Sequence, residues 1–142
     1  MFRTFAFASA AGILLALSAE SPALPRGLWH SPEEGIVIRM EPCGTAFCGY
    51  AAGLLPGHQT AKRDKTRCGS LIFREFNWNP GKARWEGTMQ PPDLNRQVKA
   101  TASFAEPSQL TIRASLGILS KTLVLRPFSG SASSNCVVEV SR

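Results

Sequence analysis

The sequence predicts an all-β chain: a single small meander β-barrel of about eight strands, braced by disulfides. Three observations carry that expectation. Short segments alternate apolar and polar residues with a period of two, turn-forming residues separate them at regular spacing, and four cysteines stand downstream of an apolar leader. No stretch of the remaining chain carries a convincing helical period. At 142 residues there is room for one domain and not comfortably for two.

Taken in order, Gly27–His30 is the first strand candidate. Ile36, Ile38 and Met40 then alternate with Val37, Arg39 and Glu41, giving one mostly apolar face. Phe47–Leu54 and Leu71–Phe76 follow. Trp85, Gly87 and Met89 alternate with Arg84, Glu86 and Thr88. Val98, Ala100, Ala102 and Phe104 alternate with Lys99, Thr101 and Ser103, and Leu110, Ile112 and Ala114 with Thr111 and Arg113. The stretch Ile118–Leu125 is apolar in part on both faces, as a strand covered on two sides would be. Cys136–Val140 is the last candidate. Asn79-Pro80-Gly81, Pro92-Asp93-Leu94-Asn95 and Glu106-Pro107-Ser108 supply turn chemistry between strands. Pro56 to Arg67 reads as an exposed basic loop, and Ser129 to Asn135 as a flexible linker to the last cysteine.

The N-terminus has the layout of a secretory signal peptide. Arg3 gives a positive start, Phe5 to Leu17 is uncharged and apolar, and small residues follow through Ala19. A membrane-spanning helix needs about 20 apolar residues, and this run is shorter. The expected organisation is a signal peptide over residues 1–19, cleaved between 19 and 23. A β-barrel domain over 26–128 and a flexible extension over 129–142 that carries the last cysteine complete it. No later stretch could span a bilayer as a helix. The whole chain carries a net charge of +6; loss of 1–19 would take Arg3 and no acid, leaving 15 basic against 10 acidic side chains. A basic exported protein can associate with an anionic envelope surface. Its cations are spread out, with no aromatic-interleaved motif, which argues against nucleic acid.

An even number of cysteines behind an export signal reads as two disulfides among Cys43, Cys48, Cys68 and Cys136. Three pairings are open. Cys43–Cys48 with Cys68–Cys136 is favoured, because Pro42, Gly44 and Gly49 suggest a turn that brings the first two together. Zinc would want closer cysteine pairs or histidines at ligand spacing, whereas His30 and His58 stand isolated, so no metal and no cofactor is expected. The search for catalytic residues is equally thin. No nucleophile elbow or phosphate-cradling loop is present, and the four residues between Cys43 and Cys48 are not the redox spacing. Glu33 and Glu34 read as solvated turn charges beside Pro32 and Gly35. The chain is expected not to be an enzyme.

Gly27-Leu28-Trp29 is more telling. Lipocalin-like barrels open with a Gly-x-Trp whose indole closes the barrel floor beneath an Arg from the last barrel strand, and Arg126 is placed to be that partner. Read onward, Ile38-Arg39-Met40-Glu41-Pro42-Cys43-Gly44, Phe47-Cys48-Gly49, Arg67-Cys68-Gly69 and Trp85-Glu86-Gly87 form a series. The series resembles the bacterial domain of unknown function 2147 family, small exported proteins with a lipocalin-like barrel, from about Gly27 to Arg126. The resemblance implies Gly27, Trp29 and Arg126 as barrel floor and favours the periplasm of a Gram-negative bacterium, with full secretion as the alternative. It implies no catalytic residues. The chain departs from the family's pattern in a shorter Ala61 to Arg67 loop, in serines at Ser115 and Ser120 where many members carry a cysteine pair, and in lacking a Trp near Val124.

Two function classes remain. The first is a binding protein whose barrel holds a small apolar or amphipathic ligand such as a fatty acid. Ala100, Ala102 and Ala114 would leave space, and Tyr50, Trp85 and Phe104 would line it; a solid core is the alternative. Arg39 and Arg113 fall on the polar face, which counts against an acid site built on either. The second class is an envelope interaction protein acting through its basic surface and the Pro56–Arg67 loop.

Overall fold

The computed structural model describes residue 12 and residues 22–58, 68–91 and 96–141. The expected signal segment (apart from Gly12), the 59–67 part of the basic loop and the Pro92–Asn95 turn lie outside the described residues. Eight strands form a closed antiparallel barrel in sequence order: β1 (Gly27–His30), β2 (Ile36–Cys43), β3 (Ala46–Leu54), β4 (Leu71–Asn79), β5 (Arg84–Met89), β6 (Val98–Glu106), β7 (Gln109–Leu116) and β8 (Leu119–Pro127). β9 (Gly130–Ala132) and β10 (Val138–Val140) make a separate two-stranded sheet. No helix occurs among the described residues.

The meander gives the barrel two unlike ends. The β2–β3, β4–β5 and β6–β7 hairpins and the start of β1 share one end, called lower here; the remaining connections share the upper end. Irregular pairing bends the strands around the barrel, as β-bulges do. One lies at Val37/Ile38, where Val37 faces Gly53 and Ile38 faces Ala51, leaving Ala52 as the extra residue. Another lies between Arg74 and Asn77, where Glu75 takes a left-handed backbone (φ 47°) and the Asn77 side-chain amide donates to the Glu75 carbonyl at 3.1 Å.

The ring closes only in part through backbone pairing. β1 meets β8 at Trp29–Pro127 and His30–Arg126, and Phe128 N donates to Leu28 O at 2.9 Å. His30 Nδ1 lies 3.2 Å from the Arg126 carbonyl; a carbonyl only accepts, so the bond requires the Nδ1–H tautomer. Above that point, Leu119–Leu125 has a strand neighbour on its β7 side alone among the described residues.

Both disulfides are Cys43–Cys48 and Cys68–Cys136, the favoured pairing. The first staples the β2–β3 hairpin. The second ties the C-terminal hairpin to the chain entering β4, and this corrects the expectation of a flexible 129–142 extension. The serine-rich segment pairs in register, Ala132 with Val138 and Gly130 with Val140. It lies over the outer face of β2–β3: Arg39 Nη2 donates to the Ala132 carbonyl at 3.1 Å, and Val138 and the Cys136 carbonyl press against Gly53, where a side chain would collide. Val37 points outward beside Gly53 and is nonetheless fully buried. β8 corrects a second expectation. It begins at Leu119, Ile118 stands at the hairpin tip, and Leu119–Thr122 is exposed on both faces, so β8 is buried only through Leu123 and Leu125.

Candidate functional site

Residues directly opposite one another in paired strands point to the same side of the sheet, and successive residues alternate. This parity sorts the barrel interior into two zones. At the lower end the side chains are large. Phe47 stacks on Phe76 at 5.0 Å, and Trp85 meets Phe47, Phe104 and Trp78 edge-to-face at 5.5, 5.4 and 4.9 Å between ring centroids. Such pairs contribute about 0.5–1.5 kcal/mol each beyond their buried area. The Trp78 and Trp85 indole N–H groups are buried with no acceptor among the described residues, and the aromatic faces around them are weak acceptors at best.

Toward the upper end the inward side chains are aliphatic apart from Phe73, which is fully buried and pairs with Gly49 and Met89. Ala100 stands opposite Gly87 on one side and Ala114 on the other, and Ala51 faces Ile38 across the barrel wall. Ile36, Leu54, Ile72, Met89 and Val98 complete this half of the apolar core. The row continues onto β8 with a charge. Lys121 is opposite Ala114 and shares its inward parity with the buried Leu123 and Leu125 below it and the exposed Leu119 above it. Its Nζ lies 2.9 Å from Glu34 Oε1, across the upper part of the β8 edge. Glu34 is held for that contact by the β1–β2 turn. Its own N–H donates to Ser31 Oγ at 3.1 Å, Gly35 N to Ser31 O at 2.8 Å, and Ser31 N to Ile36 O at 3.0 Å.

The predicted lining residues divide. Trp85, Ala100 and Phe104 belong to the interior, Trp85 fully buried within the aromatic floor. Tyr50 does not. It pairs with Arg39, one step out of phase with the inward Ile38–Ala51 pair, so it lies half-buried on the outer face. Gly27 opens β1 with a positive φ of 79°, a backbone conformation that favours glycine. Trp29 is buried near the floor, 6.2 Å from Phe104, and its Nε1 donates to the Arg26 carbonyl at 3.1 Å. Arg126 does not cap that indole. The β1–β8 register sets it opposite His30, on the other side of the sheet from Trp29, and its Nη2 donates to Gln109 Oε1 at 3.1 Å. The floor is aromatic and not an Arg–Trp stack.

Sequence reasoning missed Lys121 and gave Glu34 to solvent. The signal was present in the period-two set Leu119, Lys121, Leu123, Leu125, where one cation occupies the apolar phase. No group of three or more His, Cys, Asp or Glu side chains able to hold a metal ion occurs among the described residues.

The family described as "Uncharacterized protein conserved in bacteria" (domain of unknown function 2147) matches residues 27–126, which is 100 of the 142 residues. The chain belongs to this family. The match begins with β1 and ends one residue before β8 does, so the family's extent is that of the barrel. The β9–β10 hairpin and Cys136 lie beyond it, and the second disulfide therefore joins the family barrel to a segment outside the match. No curated protein and no solved structure matches the chain. No helix among the described residues is long and apolar enough to cross a membrane.

Proposed function

We propose that the chain is a non-catalytic, exported binding protein that holds a small apolar or amphipathic ligand in the upper half of its barrel, in the periplasm. One observation carries the reading: the interior is packed with aromatic rings at its base and is lined above, around Phe73, by Ala51, Ala100, Ala114 and aliphatic side chains. Ligand pockets are mostly apolar, with few polar groups at one end, and eight-stranded barrels are wide enough to hold one small ligand above a filled base. The cysteine content and the leader-like N-terminus support an oxidising compartment.

Displacement of a neutral apolar fluorophore, N-phenyl-1-naphthylamine, tests the reading. The delipidated protein is expected to enhance its emission and to release it to long-chain lipids. Ala114→Trp, which fills the upper half, should weaken that binding at least tenfold while far-UV circular dichroism stays that of a folded β-protein. Unchanged fluorophore binding by a folded Ala114→Trp variant would move the site elsewhere.

A further inference from the structure

We propose that the ligand is a long-chain carboxylate whose head group is held by Lys121, where it exchanges with Glu34. The inference rests on the cavity reading above and names the class of molecule and the residue that selects it.

Lys121 is set apart from other basic residues by its register. On β7 and β8, Arg113 stands opposite Thr122 and Arg126 opposite His30, both on the outer face. Lys121 alone of these three is opposite an inward residue, Ala114, and so shares its face with the core leucines of β8. An amphipathic ligand needs that order of groups: an apolar lining below and one cation where the lining reaches solvent. The Lys121 side chain is 51% exposed, so its ammonium keeps much of its hydration and needs no buried partner.

The head group is inferred from the present partner of Lys121. Glu34 places one carboxylate oxygen 2.9 Å from Nζ, so the ammonium already stands where it pairs with a carboxylate. A ligand carboxylate replacing Glu34 exchanges like for like at the ammonium. It adds the burial of an apolar chain, at about 25 cal/mol per Å². The approach is through the upper edge of β8, where Leu119–Leu125 lacks a strand neighbour on the β1 side among the described residues and the Lys121–Glu34 contact spans the gap.

Calorimetric titration of the full chain with dodecanoate and with dodecanol, which share a tail and differ in head group, tests the assignment. In wild type the pair gained replaces the Glu34 pair lost, so the acid should be favoured only slightly; in Glu34→Gln, which removes the competing carboxylate, it should be preferred by about two- to fivefold, the range of a half-exposed ion pair. In that Glu34→Gln background, Lys121→Met should abolish the preference and leave dodecanol affinity unchanged. Arg113→Met in the same background removes the same charge from the outer face and should leave the preference intact. Retention of the preference in Lys121→Met, or its equal loss in Arg113→Met, overturns the head-group assignment while the cavity stands. Failure of both probes to bind the wild-type protein overturns the cavity, and this proposal with it.

Discussion

Gly49 and Gly87 face the barrel interior, and in each case an aromatic ring occupies the space where a side chain would stand. A methyl group at Gly49 would come within 2.6 Å of the Phe73 ring, and at Gly87 within 2.8 Å of Phe76 and 2.7 Å of the Arg74 carbonyl. Each glycine is thus a socket, and the packing of Phe73 against Phe76, 5.6 Å apart, depends on both. On the outer face, Glu86 illustrates a different economy of contacts. Hydrogen bonds from Asn79 and then Arg84, with Arg84 and Lys82 nearby, hold its carboxyl below the usual carboxylate range. A depressed folded-state pKa adds stability above the unfolded-state value and loses it as pH falls through the folded-state value. Urea unfolding followed from neutral to acid pH should therefore show the stability of wild type converging on that of Glu86→Gln at the acid end. A constant gap between the two across the range would show that the bonds to Glu86 do not discriminate its charged form.

Among the elements, the C-terminal hairpin shows most plainly what sequence could and could not reveal. Ser129–Asn135 has the composition of a linker, and nothing in its local propensity marks Gly130–Ala132 as a strand. Its order comes from long-range contacts: the Cys136 tether, the Arg39–Ala132 bond and the seat at Gly53. β5, β6 and β7 were legible because one face of each is buried and the other more open, which writes the pleat into the sequence as alternation, whereas β3 is buried along most of both faces. β8 misled for a related reason. Its apolar outer residue Val124 and tip residue Ile118 imitate a doubly covered strand, although the outer face stays open. The two disulfides should contribute unequally. They close sequence separations of 68 and 5 residues, and in the chain-entropy model the longer loop is worth on the order of 4 kcal/mol and the shorter about 2 kcal/mol. Cys68→Ser/Cys136→Ser should lower the unfolding free energy by about twice as much as Cys43→Ser/Cys48→Ser. Equilibrium denaturation of both double variants measures this, and equal losses would mean that native contacts of the hairpin outweigh loop entropy.

For the whole molecule, the barrel follows from pattern, while the candidate site follows from register. Periodicity says which residues of a strand share a face; it does not say which face turns inward where both are mixed. Tyr50 therefore lies outside although its aromatic ring suits a lining, and Arg126, which the resemblance implies beneath Trp29, is set outside by one residue of register. Lys121 escaped notice because lysine is ordinarily a surface residue, and only its pairing with Ala114 reveals its phase. The proposed ligand site depends on the interior, which is filled by aromatic rings at its base and lined by aliphatic side chains and Phe73 above. Native mass spectrometry of the full-length gene product, expressed with export and purified without reductant, tests that most directly. A ligand-holding barrel should give a species heavier than the disulfide-bonded chain that sheds a small molecule on denaturation, or takes up one equivalent of dodecanoate after delipidation. A native mass equal to the bare chain, with no uptake from dodecanoate, would show a solid core and contradict it.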